Sequence, residues 1–382
     1  MNRLNMRRLI ASNVGDLRIY GAATGGAVGY IADTVNIYAG IENDINAGWV
    51  NFTKTATNYE ARFKSVDSLN QRIYVSPAFT SAPVSTNNYE VLAQRKAYYD
   101  NLINEAIKVA MGKFLLDNVD ESLIMNPEQY EYTLPSSLDY ISAIYMDSTG
   151  KDTDADMVTN GSFASDTGWT KGTGWTIASG VATFAAGTAS NLEQDVSAIA
   201  SRIYQIVFTL TRTAGSITPQ IGSKDGYSET DDGTHTQYIK ATDTGNFQIQ
   251  ATADFAGTID NVTVKEISGE TRFNTKLFNR WWLLTPDNKV SFVSSAVTPY
   301  SGRQVRIVGQ YEHPALSDDS TDCAVDSAFI ISWVTSEIIF QREISSPSEA
   351  RTRVAELYRN SALYQLNKRA QNLAPDSRRR LT

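Results

Sequence analysis

Two histidines, His235 and His313, and one cysteine, Cys323, are all that this 382-residue chain offers for imidazole or thiol chemistry. A Ser-His-Asp or Cys-His arrangement would have to use one of them. His235 sits in Asp231-Asp232-Gly233-Thr234-His235-Thr236, which reads as a hairpin loop. His313 sits in Tyr311-Glu312-His313-Pro314-Ala315-Leu316, which reads as a turn. Two histidines cannot supply a three-histidine zinc site, and a single cysteine supplies neither an intrachain disulfide nor a cysteine cluster. The stretch Gly21-Ala22-Ala23-Thr24-Gly25-Gly26-Ala27-Val28-Gly29 has no strand-to-helix frame and no phosphate-binding lysine, so it reads as a flexible loop. Asp225, Asp231 and Asp232 lie near one another in loops, as solvated turn residues do more often than calcium ligands. Carboxylates are numerous enough for a glycosidase-like pair, but nothing singles one out. The expectation is a protein that is not an enzyme.

Composition narrows the class. Hydrophobic residues make up 42% and charged residues 20%, as in folded proteins of two or three domains at this length. No apolar run reaches the length of a membrane span. The first ten residues carry arginines with no apolar segment behind them, unlike a secretory signal, and the single cysteine fits assembly in a reducing cytoplasm. The net charge of −8 argues against general nucleic-acid binding. From 346 onward, however, eight basic residues stand against three acidic ones.

Periodicity supplies the elements. Short alternating runs at 49–52, 61–66, 72–75 and 89–92 predict strands, as do 130–134 and 140–145. Leu102, Ile103, Ala106, Ile107, Ala110, Met111 and Phe114 predict a helix over 95–116. Two further helices are expected, one over 325–342 and one from the Ser346-Pro347-Ser348-Glu349 capping box through Val354, Leu357, Tyr358 and Leu366. Residues 1–40 read as loop and short strands. Between 156 and 267 the composition turns to Gly, Thr, Ser and Ala, with alternating runs at 182–184, 204–210, 247–251 and 259–264. The expected fold class is therefore α+β: a helical and short-stranded body from 1–155 and 268–382, with an all-β sandwich inserted at 156–267.

Asn160-Gly161-Ser162-Phe163, Gly168-Trp169, Gly174-Trp175-Thr176 and the exit Asp254-Phe255 through Val264-Lys265 resemble the jelly-roll modules of carbohydrate-binding type that decorate phage structural proteins. The resemblance implies that Asn160 and Asp260 lie near the joined ends, where such modules often hold a structural calcium. Trp169 and Trp175 occupy opening strands whose tryptophans more often pack in the core. If exposed, they would be the rings that stack on a sugar.

The outer segments resemble the head-to-tail adaptor proteins of tailed phages. The match lies in Trp49-Val50, in 76–83 before Tyr89-Glu90, in Ile103-Asn104-Glu105-Ala106-Ile107, in Glu131-Tyr132-Thr133-Leu134-Pro135 and in His313-Pro314-Ala315-Leu316-Ser317. This resemblance implies a homo-dodecameric ring in the virion neck, seated between the portal protein and the next neck or tail protein. DNA would pass through its lumen without sequence-specific binding. Arg378, Arg379 and Arg380 would form a basic peg docking on the portal, and no cofactor beyond the structural calcium is implied. The alternative is a tail or baseplate protein that presents the sandwich to glycans on the host surface. An enzyme acting on surface polysaccharide ranks behind both.

Overall fold

The structure, a computed structural model, describes residues 1–369 except 44, 46, 55, 56, 128 and 346, together with 378–379. The Ser346 end of the capping box and Arg380 thus lie outside the described residues. The chain forms two compact units: Met1–Leu116 with Glu312–Asn372, and Asp117–Tyr311 with Leu373–Thr382.

The α+β expectation of a helical adaptor body carrying an inserted sandwich is overturned. The chain is 41% strand and 21% helix, with its described strands in five antiparallel sheets. The physical reason is that the short alternating runs outside 156–267 do not decorate helices. They pair with one another into sheets that bury cores of their own.

In the first unit, β1 (Leu17–Ala22), β2 (Gly25–Ala27), β3 (Tyr30–Ala32), β4 (Trp49–Lys54), β5 (Thr57–Asp67), β6 (Arg72–Val75) and β7 (Asn88–Leu92) pair in the order β1-β7-β4-β5-β6-β3-β2. One face buries Ile31, Val50, Phe52, Ile73, Tyr89 and Val91. The glycine-rich stretch, expected as a flexible loop, supplies the β2–β3 hairpin of this sheet. The helices are α1 (Arg3–Asn13), α2 (Lys96–Ala110), the short α3 (Ser294–Val297) of the other unit, α4 (Ser327–Ser345) and α5 (Glu349–Arg369). Met6, Ile10, Ile103, Ile107, Phe329 and Val334 form the helical core. Helix α1 replaces the loop expected near the start. Asn2 caps it by accepting a hydrogen bond from the Asn5 amide at 3.0 Å. Its buried face mixes Arg3 and Arg7 with Met6, Ile10 and Ala11, which hides the apolar period.

In the second unit, β8 (Leu115–Asp120), β9 (Glu131–Thr133) and β10 (Tyr140–Met146) precede the sandwich. The sandwich strands are β11 (Asp152–Asp156), β12 (Thr170–Lys171), β13 (Trp175–Ala178), β14 (Val181–Phe184), β15 (Ser190–Ala198), β16 (Ile203–Ala214), β17 (Ile217–Ile221), β18 (Lys224–Asp225), β19 (Gly233–Lys240), β20 (Gly245–Ala251) and β21 (Ala256–Ser268). One sheet runs β13-β14-β21-β16-β19 with β11 beside β21, and the other runs β12-β15-β20-β17-β18. Alternation along β16 and β20 sends Tyr204, Ile206, Phe208, Phe247 and Ile249 into the shared core.

After the sandwich come β22 (Thr275–Lys276), β23 (Trp282–Leu284), β24 (Lys289–Phe292), β25 (Val305–Glu312) and β26 (Arg378–Arg379). The chain leaves through β10 and returns in β22, which pairs beside it at Tyr145–Lys276. Buried Asp147 ties the two crossings together: its Oδ1 accepts from the Thr149 and Arg272 amides.

Candidate functional site

The residues that carry the adaptor resemblance are engaged in holding the fold. His313 is buried, with Nδ1 donating to the Pro314 carbonyl at 2.7 Å and Nε2 accepting from the Ala324 amide at 3.1 Å. Its loop is fastened to α2 by a reciprocal pair: Asn104 Nδ2 donates to the Leu316 carbonyl and Asn104 Oδ1 accepts from the Leu316 amide. Tyr132 is buried too. Its hydroxyl accepts from the Asn126 amide at 2.7 Å and donates to the Gln129 carbonyl at 3.0 Å.

Glu90 belongs to a buried ion network that joins α1, β7, α2 and the loop after His313. Arg7, 1% exposed, reaches Glu90 at 2.6 Å, Asp100 at 2.6 Å and Asp319 at 2.9 Å. Arg3 and Lys96 close on Asp319 from either side, at 3.0 and 2.9 Å. Burial opposes ionisation of Asp319, but the hydrogen bonds and charges of Arg7 and Lys96 outweigh it and hold the carboxyl well below the usual range.

The opposite situation holds on α5. Its inner face packs Ala355, Ala362 and Leu366, while Val354, Leu357 and Tyr364 point outward at 44, 65 and 61% exposure. The spacing of these three keeps them on one stripe of the helix.

The second unit contains a groove of about 730 Å³ between the 119–133 segment and the edge strands β18 and β19. Tyr132, Tyr227, Tyr238, Asn126 and Gln129 contribute rings and carboxamides, and Asp225, Lys224 and Lys240 contribute charge. The walls are fixed to one another: the Tyr238 amide donates to Asn126 Oδ1, and Gln205 donates to the Tyr238 hydroxyl at 2.8 Å. Gly302 sits against the Tyr238 ring with φ +76°, and a Cβ there would come within 2.6 Å of Cε1. Gly302→Ala is therefore expected to displace Tyr238 and lower stability by about 1–3 kcal/mol. Gly180→Ala shares the left-handed backbone but meets open space. Chemical denaturation of the pair checks the prediction, with the excess loss at 302 reporting the packing part.

The other residues singled out by sequence fall in separate places. Trp169 and Trp175 are 8% and 5% exposed; Trp169 packs with Phe163 and Phe247, and Trp175 with Phe184 and Phe255. Both rings lie in the sandwich core, where tryptophans of these opening strands were expected more often to pack, and neither presents a face to a sugar. The Asn160 amide donates to the Ser165 and Thr167 carbonyls at 2.7 Å, and both Asp260 oxygens accept from Asn261. Among the described residues, no group of three or more His, Cys, Asp or Glu is placed to hold a metal. Arg378 and Arg379 form β26, antiparallel to β10 opposite Ile141 and Tyr140, so their backbone lies in a sheet. His235 lies in β19 instead of the hairpin loop expected, opposite Phe208, with Nδ1 3.2 Å from Glu229. The groove went unread because its residues come from stretches far apart in sequence; Tyr238 on β19 was the available signal.

No family model and no curated protein matches the sequence. Among solved structures, the chain is similar to the apo BiXyn10A CBM1 module at 14% identity, covering 34% of this chain and 99% of the module, with a TM-score of 0.21. It is similar to CBM35 from Paenibacillus barcinonensis at 16% identity, covering 34% and 100%, with a TM-score of 0.19. A third match is the cycloalternan-forming enzyme from Listeria monocytogenes in complex with a pentasaccharide substrate, at 12% identity, 66% and 18% coverage and a TM-score of 0.18.

Proposed function

We propose that this chain is a structural assembly protein of a tailed-phage virion, a head-to-tail adaptor that works through contacts between copies of itself and with its neck neighbours. The observation that carries the reading is the outward stripe of Val354, Leu357 and Tyr364 on α5. A helix already seated on one face by its small residues, with a second apolar face directed at solvent, is suited to packing against a neighbouring subunit. The motif residues support the same reading from the inside. Asn104, His313, Tyr132 and Glu90 brace joints within the fold.

Sedimentation of the purified chain tests this directly. The wild type is expected to associate, and Leu357→Glu, which places a charge in the centre of the stripe, is expected to shift it toward single copies by at least about tenfold in association constant. A wild type that stays a single copy at every concentration, or a variant that associates unchanged, contradicts the proposal.

A further inference from the structure

We propose that the open end of the β23–β24 hairpin docks on an anionic lipid bilayer. This goes beyond the assembly role and stands on different residues. The hairpin buries Trp282, Val290 and Phe292 on one face. Alternation turns Leu283 and, one step past β24, Val293 to the other face, where both are exposed. Half-buried Trp281 lies beside them, its carbonyl accepting from the Val293 amide at 2.9 Å. Phe278, 61% exposed, extends the patch: its ring meets that of Trp281 edge-on at 4.9 Å between centroids. These apolar side chains are contiguous, unlike the single exposed ones that any surface carries.

Charge selects the partner. The Arg280 guanidinium lies over the Phe278 and Trp281 rings at 5.4 and 5.6 Å, and Lys276 is exposed on the far side of buried Leu277 from Phe278. Among the described residues, neither Lys276 nor Arg280 pairs with a carboxylate. Between 271 and 286 the sequence holds Arg272, Lys276 and Arg280 and no acidic residue, in a chain of net charge −8. The acids that flank this stretch are already paired. Glu270 is held by Arg272 at 2.5 Å, and Asp287 and Glu131, at the turn end of the hairpin, by Lys289 at 2.6 and 3.8 Å.

Aromatic rings flanked by unpaired cations match a bilayer interface, where the rings enter the headgroup layer and the cations meet lipid phosphates. A protein partner fits less well. A stable protein contact engages about 20–30 residues on each side, against the four apolar side chains here. Peripheral insertion into lipid needs only that their apolar atoms leave water while the cations stay at the anionic surface.

The test is flotation of the full chain with vesicles of phosphatidylcholine alone and of equimolar phosphatidylcholine and phosphatidylglycerol. Binding to the anionic vesicles is expected, weakening as salt is raised. Phe278→Asp and the double variant Lys276→Glu with Arg280→Glu are each expected to weaken it by about tenfold or more. All three side chains are exposed, so melting temperatures are expected to stay unchanged. Loss in both folded variants supports the site. No binding to anionic vesicles, equal binding to both compositions, or binding unchanged in either variant overturns it. If Phe278→Asp floats as before and has lost self-association, the patch is a protein contact instead. The patch shares no residue with the α5 stripe, so the vesicle result is independent of the assembly reading.

Discussion

Replacing Asp319 with asparagine is expected to destabilise the first unit by about 3–5 kcal/mol, because it removes the anion on which Arg3, Arg7 and Lys96 converge. Arg7 is almost fully enclosed, so water cannot replace the missing charge. Urea denaturation followed by fluorescence measures the loss. The same carboxylate sets a pH dependence. Its folded pKa is depressed, so its stabilisation is complete above the ordinary aspartate value of about 4 and declines as pH falls through that value toward the folded one. The wild type is therefore expected to lose stability as pH falls from about 5 to 2, and Asp319→Asn to lose less over that window. Parallel profiles in the two proteins would show that the network does not depend on this ionisation.

Trp175→Ala is expected to cost the sandwich about 3–5 kcal/mol. The ring lies 5.2 Å from Phe184 and 6.3 Å from Phe255, centroid to centroid, between the two sheets, and its truncation leaves a cavity that neighbouring strands cannot close. Its Nε1 also donates to the Ser190 carbonyl at 3.4 Å. Thermal melting separates this role from sugar stacking. A surface tryptophan would leave stability within about 0.5 kcal/mol and change only ligand binding.

These two sites show what was legible in the sequence. The helical stripes of α2 and α4 were plain, because Ile103, Ala106, Ile107, Ile330, Val334 and Ile338 bury a strictly periodic face. Strands such as Arg72–Val75 and Tyr140–Met146 were legible for the matching reason, an alternation of buried and half-buried positions or a short apolar run. Helix α1 was not, since a buried arginine reads as a surface residue until Glu90, Asp100 and Asp319 are brought to it from distant parts of the chain. On α5 the period was right and the face was partly so: Leu366 packs inward as expected, while Val354 and Leu357 point outward. Val354 and Leu357 look like core residues, but the alanines at 355 and 362 pack inward, where small side chains permit close approach to α4. The balance of strand and helix was misjudged because each short run was weighed alone, whereas sheet formation is a property of pairs such as β4 with β7 and β10 with β25. The groove is likewise a product of topology, assembled where the segment after β8 meets the edge of β19.

Under the proposed adaptor role, a cryo-electron microscopy reconstruction of a virion containing this chain tests the central claim most directly. The account predicts a closed ring of copies between the portal and the tail, with Val354, Leu357 and Tyr364 of each copy covered by its neighbour. Particles without the chain, or a ring in which that stripe remains open to solvent, would contradict it.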